Sequence, residues 1–342
     1  MIHPQITHSR FVFGNLSWYA LLIALGILLA VLLASREERY KGLPKDFALD
    51  IALLAVPFGI LGARLYYVLF QLPYYWRYPL KIFAIWEGGL AIYGAVIGGF
   101  FAVLLLCRRR GANLAKALDT IVPGLILAQA IGRWGNFFNM EAYGAPVSDP
   151  AWQFFPFAVY IPGTGYHMAT FFYEFVWNML VFFVLWHGRR HIRRDGDTTL
   201  QYFGLYACGR SFIEGLRSDS LYLSGIRISQ LLSILAVAVV LLLLLLRYVK
   251  AGAPKYVLAL PLCFLLAVAG LLLGIAPLSV LGMLLCVTLL LRLYIHPLSI
   301  AAAALVLAAL TLVLLQHTVL SLLCYMLAGS FSLLALFQGE KI

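Results

Sequence analysis

Apolar runs long enough to cross a bilayer recur along this chain, and they restrict its fold more than any other feature. A membrane-spanning helix needs about 20 apolar residues. Such runs lie near 16–35, 48–70, 88–107, 118–132, 169–187, 201–215 and 228–248, and four more near 256–274, 275–292, 297–315 and 318–338. Within lipid every backbone N–H and C=O must be satisfied inside the segment, which leaves the α-helix as the element each run can form. The expectation is an all-α polytopic membrane protein. Hydrophobic residues make up 63% of the 342 and charged residues only 11%, against about 25% charged in soluble domains. The fourth and sixth runs are short or broken by polar residues, so their limits are the least defined.

The formal net charge is +11, but its distribution argues against nucleic acid as a partner. The basic residues cluster in alternate connections: Arg36, Arg39, Lys41 and Lys45 after the first run, Arg108, Arg109, Arg110 and Lys116 after the third, Arg189, Arg190, Arg193 and Arg194 after the fifth, and Arg247, Lys250 and Lys255 after the seventh. Basic loops stay on the cytoplasmic side, facing anionic lipid. That rule sets the N-terminus outside and, after eleven spans, the C-terminus in the cytoplasm. Only Arg10 precedes the first run, so it reads as a retained span and not as a cleaved signal. The five cysteines, Cys107, Cys208, Cys263, Cys286 and Cys324, form no CxxC pair and sit in or beside apolar runs, as small hydrophobes do. No metal or cofactor is expected.

Polar residues interrupt the runs before residue 250, and beyond it the sequence is nearly free of charge. Residues 1–250 are therefore read as the functional unit, and 251–342 as a Leu/Ala-rich membrane extension. The densest motif is GRWGNFFNMEAYG, Gly132 to Gly144. Arg133 and Asn136 are three apart and share a helix face, and Asn139 and Glu141 follow. An arginine at the hydrocarbon edge either snorkels to the interface or lines a polar cavity, where its planar fork can hold a phosphate. In GRSFIEGLR, Gly209 to Arg217, Arg210, Glu214 and Arg217 fall on one helix face, and an Arg210–Glu214 ion pair is the simplest reading. WEGGLAIYGAVIGG, Trp86 to Gly99, offers glycines for close helix packing and one hydroxyl at Tyr93. GARLYYVLF places Arg64 inside a run, Trp18-Tyr19 opens the first, and HMATFFYE opens the fifth with His167, Tyr173 and Glu174. By the charge pattern, Tyr19, Trp86, Arg133, Glu141, His167 and Arg217 share the outer level. That points to one site for a substrate with an anionic head and apolar tails.

These residues resemble the prolipoprotein diacylglyceryl transferase family. Its signature runs roughly G-R-x-G-N-F-x-N-x-E-x-x-G, and Gly132, Arg133, Gly135, Asn136, Phe137, Asn139, Glu141 and Gly144 fit it. Trp18-Tyr19, the Gly-x-Arg of Gly62 and Arg64, the W-x-G-G at Trp86, the R-x-x-x-E of Arg210 and Glu214, and the Q-x-x-S of Gln230 and Ser233 agree in order and spacing. The resemblance covers about residues 1–250 and implies a seven-span core in the bacterial inner membrane. The implied reaction, on the outer side, moves the diacylglyceryl group of phosphatidylglycerol to the lipobox cysteine of a prolipoprotein. A thioether forms and glycerol phosphate leaves. The substrate supplies the nucleophile, so the lack of a nucleophile motif here is no obstacle. The resemblance makes Arg133 the phosphatidylglycerol-binding residue and Arg210 its essential partner. It groups Tyr19, Asn136, Asn139, Glu141, Gly144 and Glu214 around the lipid head and counts Tyr93 as catalytic.

Two positions depart from the family pattern. Tyr93 stands where many members have a histidine proposed as the thiol's base, and a tyrosine, ordinarily titrating near 10, is a poor base at neutral pH. His167 is then a second candidate, although the element H-P-x-x-x-Y-E lacks its proline here and the histidine is shifted by one. Other functions fit less well. A transporter would show inverted repeats and midplane polar sites. A phosphatidyl-alcohol transferase would need clustered aspartates, and Asp46, Asp50, Asp119, Asp149, Asp195, Asp197 and Asp219 are scattered.

Overall fold

The computed structural model describes residues 10–13, 16–190, 194–218, 222–223, 226–248, 324 and 327–328. The four runs expected beyond residue 250 lie outside these, apart from the last three positions. Among the described residues, seven helices of 19 to 26 residues match the first seven runs: α1 (Trp18–Tyr40), α2 (Phe47–Phe70), α4 (Ile92–Arg110), α5 (Leu114–Asn139), α6 (Thr170–Gly188), α7 (Asp197–Leu216) and α8 (Ile228–Tyr248). A short helix, α3 (Leu72–Arg77), lies between α2 and α4. By length and composition α1, α2, α4, α5 and α6 can each cross a membrane, so the protein is a mainly helical, multi-pass membrane protein. The departure from an all-helical reading is a set of small antiparallel hairpins: β1 (Phe11–Phe13) with β2 (Leu16–Ser17), β3 (Ala158–Ile161) with β4 (Gly165–Met168), and β5 (Tyr222–Leu223) with β6 (Ile226–Arg227).

The described residues fall into two compact units, one from 25–128 and one from 10–24 with those from 129 onward. In the 25–128 unit, helices meet through small residues. A Cβ on Gly94 would strike the Gly62 carbonyl, and one on Gly98 would strike that of Phe58. Backbones this close need glycine, the usual basis of helix contact where lipid competes for larger side chains. Gly26 meets Ala128, and Gly124 meets Ala30, in the same way. At one end, Leu43, Phe47, Ile51, Val103, Leu106, Cys107 and Ala117 form an apolar core. The start of α2 is tied down by buried Glu38, whose carboxylate accepts from the backbone N–H groups of Asp46 (3.1 Å) and Ala48 (2.8 Å). Asn113 caps α5, accepting from Ala115 and Lys116, as short polar side chains do at helix starts.

Arg64, which the sequence presents only as a charge within a run, organises the connection from α3 to α4. Its guanidinium donates to the carbonyls of Lys81 (2.6 Å), Ile82 (2.9 Å), Ala84 (3.3 Å), Gly88 (2.6 Å) and Gly89 (3.1 Å) and lies 5.3 Å from the Tyr75 ring. Five bonds use the five N–H donors an arginine has. The buried charge is therefore met by backbone, and this arginine is structural.

In the other unit, Trp134, Phe137, Phe171 and Phe172 pack with Val159, Ile161 and Ala169 into an aromatic cluster joining α5, the β3–β4 hairpin and α6. Trp177 lies against Gly209, where a Cβ would collide with its ring, and its Nε1 donates to the Leu205 carbonyl at 2.9 Å. Gln230 on α8 donates to the Ser211 carbonyl at 2.8 Å. At the other end of α7, Arg247 pairs with the buried Asp197. His167 does not open α6 as expected. It sits in β4, and the helix begins at Thr170. Residues 158–168 are taken up by the hairpin, whose turn uses Gly163 and Gly165 in left-handed conformations open to glycine.

Candidate active site: two arginines on one carboxylate

α5 runs further than expected, and GRWGNFFN forms its last two turns. Arg133 and Asn136 share a face, with Arg133 Nη1 3.4 Å from Asn136 Oδ1. Beyond the helix the chain turns sharply through Met140 and Ala142, both left-handed at φ 54° and 57°. The turn brings Glu141 back to the helix end, where its Oε1 accepts from Asn136 Nδ2 at 2.9 Å and Asn139 Nδ2 at 3.2 Å. Thr170 braces it by donating to the Ala142 carbonyl at 2.7 Å. Non-glycine residues rarely hold positive φ unless the surroundings fix them. Here three hydrogen bonds do so, around residues that the signature motif contains.

Gly144 lies where three chain segments cross. Its N–H donates to the Met168 carbonyl at 2.8 Å, and it bridges to Arg217. A Cβ there would come within 2.7 Å of the Leu216 carbonyl oxygen and 2.8 Å of Thr170 Cγ2, so a side chain cannot be fitted without moving backbone. Gly135 is fixed for a related reason, because the Tyr19 ring lies across it. Trp18, next to Tyr19, stacks on Phe138 with ring centroids 4.9 Å apart. The Trp18-Tyr19 pair is thereby held against the turns of α5 that carry Arg133 and Asn136. Arg10 reaches the same end, its Nε donating to Asn139 Oδ1 at 3.1 Å.

The expected Arg210–Glu214 pair is present at 2.6 Å, but it belongs to a larger group. Glu174, one turn into α6, reaches both signature arginines. Its Oε1 lies 2.7 Å from Arg133 Nη2 and its Oε2 accepts from Arg210 Nη1 at 2.9 Å. The two guanidiniums therefore stand one carboxylate's width apart. The carboxylate side chains of Glu174 and Glu214 are 3% exposed, whereas those of Arg133 and Arg210 are 21% and 17% exposed. The acids are at the back and the cations in front. Tyr206, four residues before Arg210, interacts with Arg133, Glu174 and Arg210. Among the sequence-derived candidates the structure brings together Arg133, Asn136, Asn139, Glu141, Arg210 and Glu214, with Tyr19 and Gly144 on the adjoining backbone.

Glu174 is the residue of this cluster that the sequence names without giving it a role. It stands out in the sequence only beside His167 and Tyr173, and no spacing rule links residue 174 to 133 or 210. His167 is buried against Tyr143, with ring centroids 4.7 Å apart, and its Nδ1 donates to the Gly144 carbonyl at 3.0 Å. Tyr93, second residue of α4, belongs to the other unit. It is exposed, with its ring 6.2 Å from that of Tyr66.

The chain is similar to known proteins over most of its length. The profile of the family described as prolipoprotein diacylglyceryl transferase matches residues 9–246. A phosphatidylglycerol–prolipoprotein diacylglyceryl transferase of Limosilactobacillus reuteri is 45% identical over 244 residues, 68% of this chain and 87% of the relative. Proteins of the same name from Streptococcus agalactiae serotype Ia and Staphylococcus aureus strain JH9 are each 44% identical. They cover 68% and 75% of this chain, and 92% and 94% of their own lengths.

Proposed function

This chain belongs to the prolipoprotein diacylglyceryl transferase family, and on that premise we propose how its arginine pair serves the reaction. The protein is a transferase that moves the diacylglyceryl group of phosphatidylglycerol onto the lipobox cysteine thiol of prolipoproteins, the first step of lipoprotein maturation. Arg133 and Arg210 together grip the phosphate of the lipid. As the sulfur bonds to the glyceryl carbon, the carbon–oxygen bond breaks and its electron pair collects on the phosphate oxygen. Two fixed cations in a low-dielectric setting stabilise that charge as it forms. One observation carries this reading: both guanidiniums meet a single buried carboxylate, so one small anionic head can touch both.

The remaining residues follow from that grip. Asn136, Asn139 and Glu141 form the hydrogen-bonded rim around the head, Tyr19 walls it, Gly144 holds the strand crossing behind it, and Glu214 keeps Arg210 extended. Tyr93 is the third catalytic position, by its correspondence to the family pattern. The catalytic core is residues 1–250 in seven spans, which the family match over 9–246 supports, with 251–342 an extension. The protein resides in the inner membrane, with its N-terminus and the site outside and its C-terminus cytoplasmic.

The test uses purified full-length protein in phosphatidylglycerol-containing micelles with a lipobox peptide, following the diacylglyceryl mass gain on the cysteine. Lysine keeps the charge but not the two-pronged geometry. Arg133→Lys with Arg210→Lys is expected to reduce transfer by about a thousandfold or more, on the scale of losing one or more preorganised donors. Near-normal transfer by the double variant would remove the clamp.

A further inference from the structure

We infer that Glu174 tunes the charge of the arginine pair so that it holds a phosphodiester monoanion and lets a phosphomonoester dianion go, which makes it a positioning residue for product release. The inference rests on the reading of Arg133 and Arg210 as a phosphate clamp. In the inner cluster, two guanidiniums are balanced by two carboxylates, and Glu174 is the one that bridges both cations. With its side chain 3% exposed behind the guanidiniums, it acts through them and not on the lipid.

The reaction changes the charge of what the clamp holds. Phosphatidylglycerol enters with one negative charge on its phosphodiester. The thiol proton goes to a base, the carbon–sulfur bond forms, the carbon–oxygen bond breaks, and glycerol phosphate departs as a monoester. Such a monoester carries close to two negative charges near neutral pH, its second pKa being about 6. Two unbalanced arginines would bind the product more tightly than the substrate. A carboxylate fixed behind both opposes the second charge more than the first. Glu214, paired with Arg210 one turn along α7, provides a weaker version of the same opposition.

Glu174→Gln removes the charge and keeps the shape. In the full-length protein with phosphatidylglycerol micelles and lipobox peptide, added glycerol phosphate is expected to inhibit this variant at about tenfold lower concentration, the effect of one unit charge a few ångströms away at partial exposure. Steady-state turnover falls more than the first turnover, so a burst of lipidated peptide precedes a slow phase. Glu174→Asp, which keeps the charge, retains the wild-type inhibition constant. Glu214→Gln shifts it in the same direction by less, and keeps the inference testable if Glu174→Gln inserts poorly. An unchanged or weaker inhibition by glycerol phosphate in both glutamine variants overturns the inference. Arg133→Ala and Arg210→Ala serve as controls, read by direct binding of glycerol phosphate to the full-length protein in micelles: each should bind it more weakly, and failure there overturns the clamp itself.

Discussion

A guanidinium near hydrocarbon must be paired or solvated, and this protein treats its arginines in two ways. Arg64 gives all five N–H groups to backbone carbonyls, which leaves no donor for a substrate. Arg133 and Arg210 share one carboxylate and stay partly exposed. That division separates a structural arginine from the two that the proposed clamp uses. In the sequence all three are charges in or at the edge of an apolar run, and the run alone does not tell them apart. Arg210 and Glu214 can be paired in advance because four residues along a helix bring side chains together. Glu174 cannot, because its partners lie on two other helices and only tertiary packing joins them. The hydroxyl of Tyr93 gives a separate test. If it hydrogen-bonds a reacting group, Tyr93→Phe should slow transfer roughly tenfold in the peptide assay, the worth of one such bond at about 1.4 kcal/mol. An unchanged rate would exclude the hydroxyl from the reaction.

At the scale of elements, glycine spacing sets how α2 and α4 pack. Gly94 approaches the Gly62 carbonyl so closely that any side chain intrudes on backbone, while a Cβ at Gly99 on the same helix would meet nothing within 4 Å. Gly94→Leu is expected to destabilise the protein by about 2 kcal/mol or more, as overpacking does. Gly99→Leu should be close to neutral, and thermal unfolding in one detergent compares the two. Equal melting temperatures would contradict the packing. The apolar runs foretell the seven helices well, since a run of about 20 residues in lipid has few alternatives. Their ends are less legible. α5 extends to Asn139, seven residues past the expected limit of 132, because polar Arg133 and Asn136 find partners on the protein side and need not end the helix. The β3–β4 hairpin also escapes a reading of the sequence, its Ala158–Ile161 strand being too short to stand out among apolar residues.

Over the whole molecule, the bilayer replaces water as the reference for what counts as buried. Leu28, Leu32, Leu53, Leu61, Leu65, Val96 and Ile97 are exposed on their helices. In water that surface would promote aggregation, but in lipid it is solvated. The polar side chains turn inward, and Glu174, Asn178, Gln201, Glu214 and Gln230 are buried. Such a molecule can offer two charges to a lipid head while its apolar exterior rests in the acyl chains, as an enzyme acting on phosphatidylglycerol requires. The most direct measurement is a structure of the full-length protein with phosphatidylglycerol in nanodiscs, reading the distances from the phosphate oxygens to the two guanidiniums. Charge-assisted hydrogen bonds of about 2.7–2.9 Å to both Arg133 and Arg210 are expected. A phosphate held elsewhere, beyond hydrogen-bond reach of both guanidiniums, would contradict the clamp.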